Sequence, residues 1–88
     1  MVEKTITITN PEGLHARPAA LFVQTAGKFT SSVWIKAGEK KVNAKSIMGL
    51  MSLAVAPGTE VVIGAEGEDE DRAVNELIDL VTSGLTED

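Results

Sequence analysis

Residues 2–27, VEKTITITNPEGLHARPAALFVQTAG, change from a two-residue period to the period of a helix. In the first part, β-branched residues alternate with others, which predicts a half-buried strand with Val2, Lys4, Ile6 and Ile8 on one face. After the break at NPEG, a helix is predicted from Ala16 to about Gly27, which can end it. Its apolar residues at helical spacing are Ala19, Phe22, Val23 and Ala26.

The middle of the chain also shows segments with the two-residue period of a strand and segments typical of a helix. Residues 32–44 alternate apolar and polar side chains on both sides of Gly38, which predicts a hairpin. Residues 45–53, KSIMGLMSL, predict a short and very apolar helix, and residues 58–67 predict another strand. The inward-facing residues of these strands are Val33, Ile35, Ala37, Val61, Ile63 and Ala65.

The last segment predicts an amphipathic helix with an acidic start. Residues 68–71 are four consecutive acids, which suit the positive N-terminal end of a helix and fan out too widely for a metal site. Gly84 can end this helix. Its apolar stripe consists of Val74, Leu77, Ile78 and Val81.

These elements predict an α+β fold of order β-α-β-β-α-β-α. Both amphipathic helices need an apolar partner, and half-buried strands offer one apolar face. A four-stranded, mainly antiparallel sheet with helices on one side satisfies both requirements. We expect residues 1–88 to form one domain, because the chain shows no linker, repeat or low-complexity segment.

The charge distribution and the amino-acid composition bear on which partners and which compartment the protein can have. The net charge is −5, yet residues 1–50 carry seven basic and three acidic groups, whereas residues 51–88 carry one basic and ten acidic groups. An acidic chain is a poor general nucleic-acid binder, although the basic half can receive an anion or an acidic partner. There is no cysteine, no leader and no apolar run of membrane-spanning length, so we expect a soluble, cytoplasmic protein.

The only histidine of the chain lies in GLHARPA, residues 13–19. The predicted turn places His15 at or next to the N-cap of the first helix, with Arg17 in the first turn. The free backbone N–H groups of that turn, at Ala16 and Arg17, form an anion site together with the helix dipole. The Arg17 guanidinium adds a bidentate phosphate ligand.

This placement suits phosphoryl transfer. A neutral imidazole is a nucleophile, and a phosphoryl group on His15 would lie where the free N–H groups and Arg17 can hold it. No second base, metal site or deep pocket is predicted, which favours a carrier between two partner proteins over a self-sufficient catalyst. The alternative is a surface histidine that merely caps the helix.

GLHARPA together with KSIMGLMSL resembles the HPr family, the histidine-containing phosphocarriers of the bacterial phosphoenolpyruvate-dependent sugar phosphotransferase system. The resemblance covers essentially the whole chain and implies an open-faced β-sandwich, four antiparallel strands with three helices on one face. It implies that His15 accepts phosphate on Nδ1 from phosphorylated enzyme I and passes it to the IIA domains of sugar permeases. It also implies that Arg17 steadies the phosphoryl group, and that the chain is a monomeric, stoichiometric carrier without cofactor or metal.

The resemblance further implies regulation at Ser46. There, an ATP-dependent HPr kinase/phosphorylase would phosphorylate the hydroxyl, and the product would act as corepressor with catabolite control protein A. The residues alone favour Ser46 as the N-cap of the helix that opens at Ile47, and both roles can hold. One departure is Glu12, because this position is often a small polar residue in the family.

The helix after Ser46 has more apolar side chains than it can bury. Leu50 is expected in the core, and the others can form an exposed, adaptable patch for several partners or additional core. The candidate docking residues are Ile47, Met48 and Met51.

Two other functions stay open. The family's catabolite-repression paralogue is a regulatory adaptor that lacks the active histidine, so His15 argues against that alternative. A small hydrolytic or RNA-binding domain would need a second catalytic group or an aromatic stacking set, and Trp34 reads better as a sheet-face residue.

Overall fold

In the computed structural model, which describes residues 1–82, the elements follow the predicted order β-α-β-β-α-β-α. The predicted end of the last helix at Gly84 lies outside the described residues. No helix in the described part is long and apolar enough to cross a membrane. The elements are β1 (Val2–Thr7), α1 (Ala16–Ala26), β2 (Ser32–Ala37), β3 (Lys40–Asn43), α2 (Ile47–Ser52), β4 (Glu60–Glu66) and α3 (Glu70–Thr82).

The four strands form one antiparallel sheet in the order β1-β4-β2-β3. β4 lies between β1 and β2, with Val2 opposite Ala65 and Val33 also opposite Ala65. All three helices cover one face of the sheet, and the other face is open. The predicted α+β fold, an open-faced β-sandwich, is therefore confirmed.

The hydrophobic core lies between the sheet and the helices. The predicted inward residues of β2 and β4 are buried, except that Ala37 is only half-buried, and Ile8 is buried just beyond the end of β1. α1, α2 and α3 contribute their apolar stripes, and α3 also buries Ala73. The largest fully buried side chains include Ile8, Leu14, Phe22, Ile35, Leu50, Ile63 and Leu77.

Trp34 lies on the open face of the sheet, as predicted. Its indole ring lies against Gly64 on the neighbouring strand, where a Cβ would collide with the ring. The Lys41 ammonium sits over the ring, 4.4 Å from its centroid. The ring is thus held between a glycine and a lysine rather than standing free as a stacking platform.

Asp69 ties the start of α3 to the loop before β2. Its carboxylate accepts the backbone N–H groups of Thr30 and Ser31, each at 3.0 Å, and the Ser31 hydroxyl. The Ser31 hydroxyl and these N–H groups lower the pKa of Asp69 from its ordinary value of 3.8 to about 2. The acidic run therefore supplies helix-start charge at Glu70 and Asp71, but Asp69 bonds to another loop.

Candidate functional site

His15 occupies the N-cap position of α1 with an extended backbone, φ −120° and ψ 159°. Its side chain is exposed and makes no capping hydrogen bond. The alternative that this imidazole serves to cap the helix is therefore wrong. The ring is available to solvent at the positive end of α1.

The first turn of α1 presents backbone N–H groups and an arginine guanidinium as exposed hydrogen-bond donors. Within residues 1–82, the backbone N–H groups of Ala16 and Arg17 have no acceptor, because α1 begins at Ala16. No acidic residue lies in this turn to satisfy them. The Arg17 guanidinium is exposed and forms no ion pair with a described carboxylate. His15, Ala16 and Arg17 thus lie at the start of α1, and their role in binding phosphate stays a prediction.

The loop before His15 is fixed by its backbone. Gly13 has a φ of +61° and approaches the carbonyl of Val55 so closely that no Cβ fits there. Beside it, the N–H of Leu14 donates to the Val55 oxygen at 3.0 Å, and the Leu14 side chain is buried in the core. The Asn10 amide donates to the Gly13 oxygen at 2.7 Å from a buried position. The backbone that leads into His15 is therefore held in place by these contacts.

Ala16 adopts a left-handed backbone, with φ +52°, between His15 and Arg17. Such a conformation in a residue with a Cβ costs on the order of 1–3 kcal/mol and is typical of functional sites. No sequence signal predicted it, because alanine carries no preference for this region. The site is thus strained at the residue that separates the imidazole from the guanidinium.

Glu12 does not contact the imidazole. Its side chain is exposed, and it forms no ion pair with His15 or with any other residue of the described part. The departure at position 12 therefore adds a carboxylate to the neighbourhood of the site without placing it on the ring.

Ser46 caps α2. Its hydroxyl oxygen accepts the backbone N–H of Gly49 at 3.1 Å, and Ser46 itself is half-buried. The capping role predicted from the sequence is confirmed, and the regulatory role stays a prediction. The hydroxyl lies at the helix end that favours added negative charge.

The apolar surplus of α2 is exposed. Leu50 is fully buried, as predicted, whereas Met48 is 81% exposed. The face formed by Ile47, Met48 and Met51 is named the α2 patch below; the first and last of these are 39% and 46% exposed. α2 contacts α1 directly, and Val55, three residues beyond α2, binds the His15 loop through Leu14. α2 therefore packs beside α1, the helix that begins directly after His15, and the segment after α2 holds the loop that precedes His15.

The family profile described as "PTS HPr component phosphorylation site" matches residues 2–83. The chain belongs to the HPr family. Among HPr-family relatives, it is 58% identical over 77 residues to the HPr-like protein Crh of Bacillus subtilis (strain 168), covering 88% of this chain and 91% of the relative. It is 47% identical over 81 residues to a phosphocarrier protein HPr of Neisseria meningitidis, covering 92% and 91%.

Solved structures of HPr proteins share this fold. A crystal structure of HPr-C-His from Thermoanaerobacter tengcongensis has a TM-score of 0.96 and 58% identity, covering 100% of this chain and 99% of that one. A crystal structure described as an HPr dimer from the same organism has a TM-score of 0.80 and 59% identity, covering 99% and 100%. The resemblance drawn from GLHARPA and KSIMGLMSL is thereby confirmed.

Proposed function

We propose that this chain is the phosphocarrier of a sugar phosphotransferase system, with His15 accepting a phosphoryl group from phosphorylated enzyme I and donating it to IIA domains of sugar permeases. The observation that carries this proposal is the exposed His15 at the start of α1, beside two N–H groups and an Arg17 guanidinium that have no partner among residues 1–82. A hydrolytic enzyme would need a second catalytic group in the same place, and no carboxylate in the described part of the chain pairs with His15.

The transfer needs little beyond positioning and charge. The imidazole Nδ1 attacks phosphorus, the bond from phosphorus to the donor breaks, and the displaced electron pair stays with the donor. The phosphoryl group on His15 then carries negative charge. The backbone N–H groups of Ala16 and Arg17 and the Arg17 guanidinium are the donors proposed to stabilise this charge. Donation to a IIA domain reverses these roles and restores the free imidazole, so the chain acts as a stoichiometric carrier rather than an enzyme.

Docking to enzyme I and to IIA domains would use the α2 patch. Methionine side chains are flexible and polarisable, so one exposed patch can fit several partner surfaces. The proposed carrier works in the cytoplasm as a monomer, and its oligomeric state needs its own measurement because one solved HPr structure is described as a dimer.

Ser46 is the proposed regulatory site. An HPr kinase/phosphorylase would phosphorylate the capping hydroxyl, and the product would bind catabolite control protein A. The new dianion would stand at the start of α2, directly beside Ile47 of the α2 patch. It would repel acidic partners and attract a partner with arginines at that point.

A regulatory adaptor acting mainly through Ser46 is the second candidate, and the 58% identity to the HPr-like protein Crh favours it. The identity to an HPr of Thermoanaerobacter tengcongensis is 58% as well, so overall similarity does not separate the two roles. The exposed His15 supports the carrier role, since an adaptor has no use for an accessible imidazole.

The deciding experiment is incubation with phosphoenolpyruvate and enzyme I, followed by intact mass. We expect one acid-labile, alkali-stable phosphoryl group on the protein and on Ser46→Ala, and none on His15→Ala. Labelling that persists in His15→Ala, or absence of labelling in the unmodified protein, would overturn the carrier proposal. Absence of labelling together with ATP-dependent modification of Ser46 would establish the adaptor.

A further inference from the structure

A pocket of about 550 Å³ opens where the loop before β2 meets the end of β3. This volume is in the range of small-ligand pockets. None of the residues that line the pocket belongs to the His15 loop, so it is independent of the proposed carrier function. The lining residues that bear on a ligand are Ser32, Trp34, Lys41, Asn43 and Lys45.

The pocket is cationic in an acidic chain. Two lysines line it and no carboxylate of the described residues does, although the protein carries a net charge of −5. Neither Lys41 nor Lys45 forms an ion pair with a carboxylate of residues 1–82. The Lys45 ammonium uses one donor on the Phe29 carbonyl, at 2.7 Å, which leaves two donors for another acceptor. An anion entering this pocket would meet two uncompensated positive charges.

The pocket also presents neutral hydrogen-bonding groups. The Asn43 side-chain oxygen accepts the backbone N–H of Lys45 at 2.8 Å, which leaves the Asn43 NH₂ group to donate elsewhere. Thr30 and Ser32 also line the pocket, and their hydroxyls are named the rim hydroxyls below. A ligand rich in hydroxyls would match these groups better than an inorganic anion alone.

The walls are held in place before any ligand arrives. Ser31 is buried and fixed by Asp69, and the Trp34 ring is held between Gly64 and Lys41. Walls that are already ordered reduce the entropy lost on binding.

The geometry points to a binding site for a small sugar phosphate in this pocket. The phosphate lies between the ammonium groups of Lys41 and Lys45, and the sugar hydroxyls bond to Asn43 and the rim hydroxyls. The carbon skeleton lies along the edge of Trp34. A phosphate dianion offers three acceptor oxygens and about two negative charges. It therefore matches two lysines better than a ligand with a single carboxylate would.

Titration with glucose 6-phosphate tests the site, because Trp34 is the only tryptophan and lines the pocket. At about 0.15 M salt, where diffuse surface attraction is screened, we expect saturable changes in Trp34 fluorescence and in the amide resonances of residues 30–34 and 41–45. Glucose should produce no change, and inorganic phosphate should bind more weakly.

Two lysine variants make the test specific. Lys41→Met should weaken binding about tenfold or more, as expected for loss of one charge-assisted contact. Lys4→Met removes the same charge from β1, at the opposite edge of the sheet and outside the pocket, and should leave binding unchanged. Equal losses in both variants, equal binding of inorganic phosphate, or no saturable change in either signal would overturn the proposal. None of these outcomes bears on phosphorylation of His15.

Discussion

Leu14 and Val55 join the two parts of the candidate functional surface through one backbone hydrogen bond, from the Leu14 N–H to the Val55 oxygen at 3.0 Å. Leu14 directly precedes His15, and Val55 follows α2 by three residues. A displacement of either segment therefore changes the position of the imidazole relative to the α2 patch.

Gly13→Ala should disrupt this junction. The new Cβ would collide with the Val55 carbonyl, and the φ of +61° disfavours alanine, so we expect a loss of about 1–3 kcal/mol in the free energy of unfolding and slower phosphoryl transfer. Chemical denaturation and transfer from enzyme I measure the two effects. Gly38→Ala is the matched control, because Gly38 has the same φ of +61° but open space around it. Equal losses in both variants would show that backbone strain alone, not the contact with Val55, matters.

Arg17→Ala should slow transfer without lowering stability. The guanidinium is exposed and unpaired within the described residues, whereas losing a charge-assisted bond to phosphate costs about 1.5–3 kcal/mol. Rates of phosphorylation by enzyme I and thermal melts separate the two effects. Arg72→Ala, which removes another exposed arginine, should leave transfer unchanged. A large fall in melting temperature with normal transfer would assign Arg17 a structural role instead.

Met48→Asp should weaken docking and leave the fold intact. Met48 is 81% exposed, so a carboxylate there stays in water in the free protein but must be desolvated against a partner. The concentration of this protein that half-saturates enzyme I should rise, with a smaller change in the limiting rate. The control variant Met48→Leu keeps an apolar side chain at this position and should dock as the unmodified protein does. An unfolded Met48→Asp protein would place this side chain in the core.

Phosphorylation of Ser46 should inhibit transfer to His15 without melting α2. A phosphate oxygen can take over the Gly49 N–H now held by the Ser46 hydroxyl at 3.1 Å, and negative charge is favourable at this helix end. Amide exchange across residues 46–53 and the rate of transfer from enzyme I report on the two claims. Faster exchange would replace the electrostatic explanation with local unfolding, and unchanged transfer would remove the inhibition.

Two variants at Ser46 separate charge from capping. Ser46→Ala removes the cap and should lower stability by about 1 kcal/mol with normal transfer. Ser46→Asp carries less charge than a phosphate and should inhibit only weakly. Strong inhibition by Ser46→Ala would mean that the cap itself, rather than added charge, controls docking.

Asp69 should make stability depend on pH in the acid range. Its pKa is lowered to about 2 in the folded protein, so the folded state favours the carboxylate. The resulting stabilisation is complete above the ordinary pKa, near pH 4, and is lost as the pH falls toward 2. The difference in unfolding free energy between the protein and Asp69→Asn should therefore be constant above pH 4 and shrink below it.

Asp71→Asn is the control for this prediction, because it removes the same charge from the first turn of α3. It leaves the bonds to Thr30 and Ser31 in place and should cost less stability than Asp69→Asn at neutral pH. A difference between the protein and Asp69→Asn that stays constant down to pH 2 would contradict the proposed role of the carboxylate.

Local patterns were sufficient to predict the elements of the fold. The alternation in β2 and β4 and the stripes of α1 and α3 follow from which side of each element is buried, and that information lies within a few neighbouring residues. The same holds for His15 and Ser46, because N-cap positions follow from where a helix begins.

Contacts between distant segments were not predictable in the same way. Asp69 bonds to Ser31 across 38 residues, and Gly13 meets Val55, which lies beyond the second helix in the sequence. The left-handed Ala16 has no local signal at all. Gly64 did carry one, because a glycine inside a strand often marks a close approach, and here the approaching group is Trp34.

The outer strand β3 bears on how these molecules meet one another. An unpaired strand edge is a template on which a second chain can add and begin aggregation. β3 has only four residues, and its first two are Lys40 and Lys41. A second copy of β3 added in parallel would place its lysines beside Lys40 and Lys41, and the like charges would oppose that pairing. The short length and the positive charge of β3 therefore both disfavour growth of the sheet by self-addition at this edge.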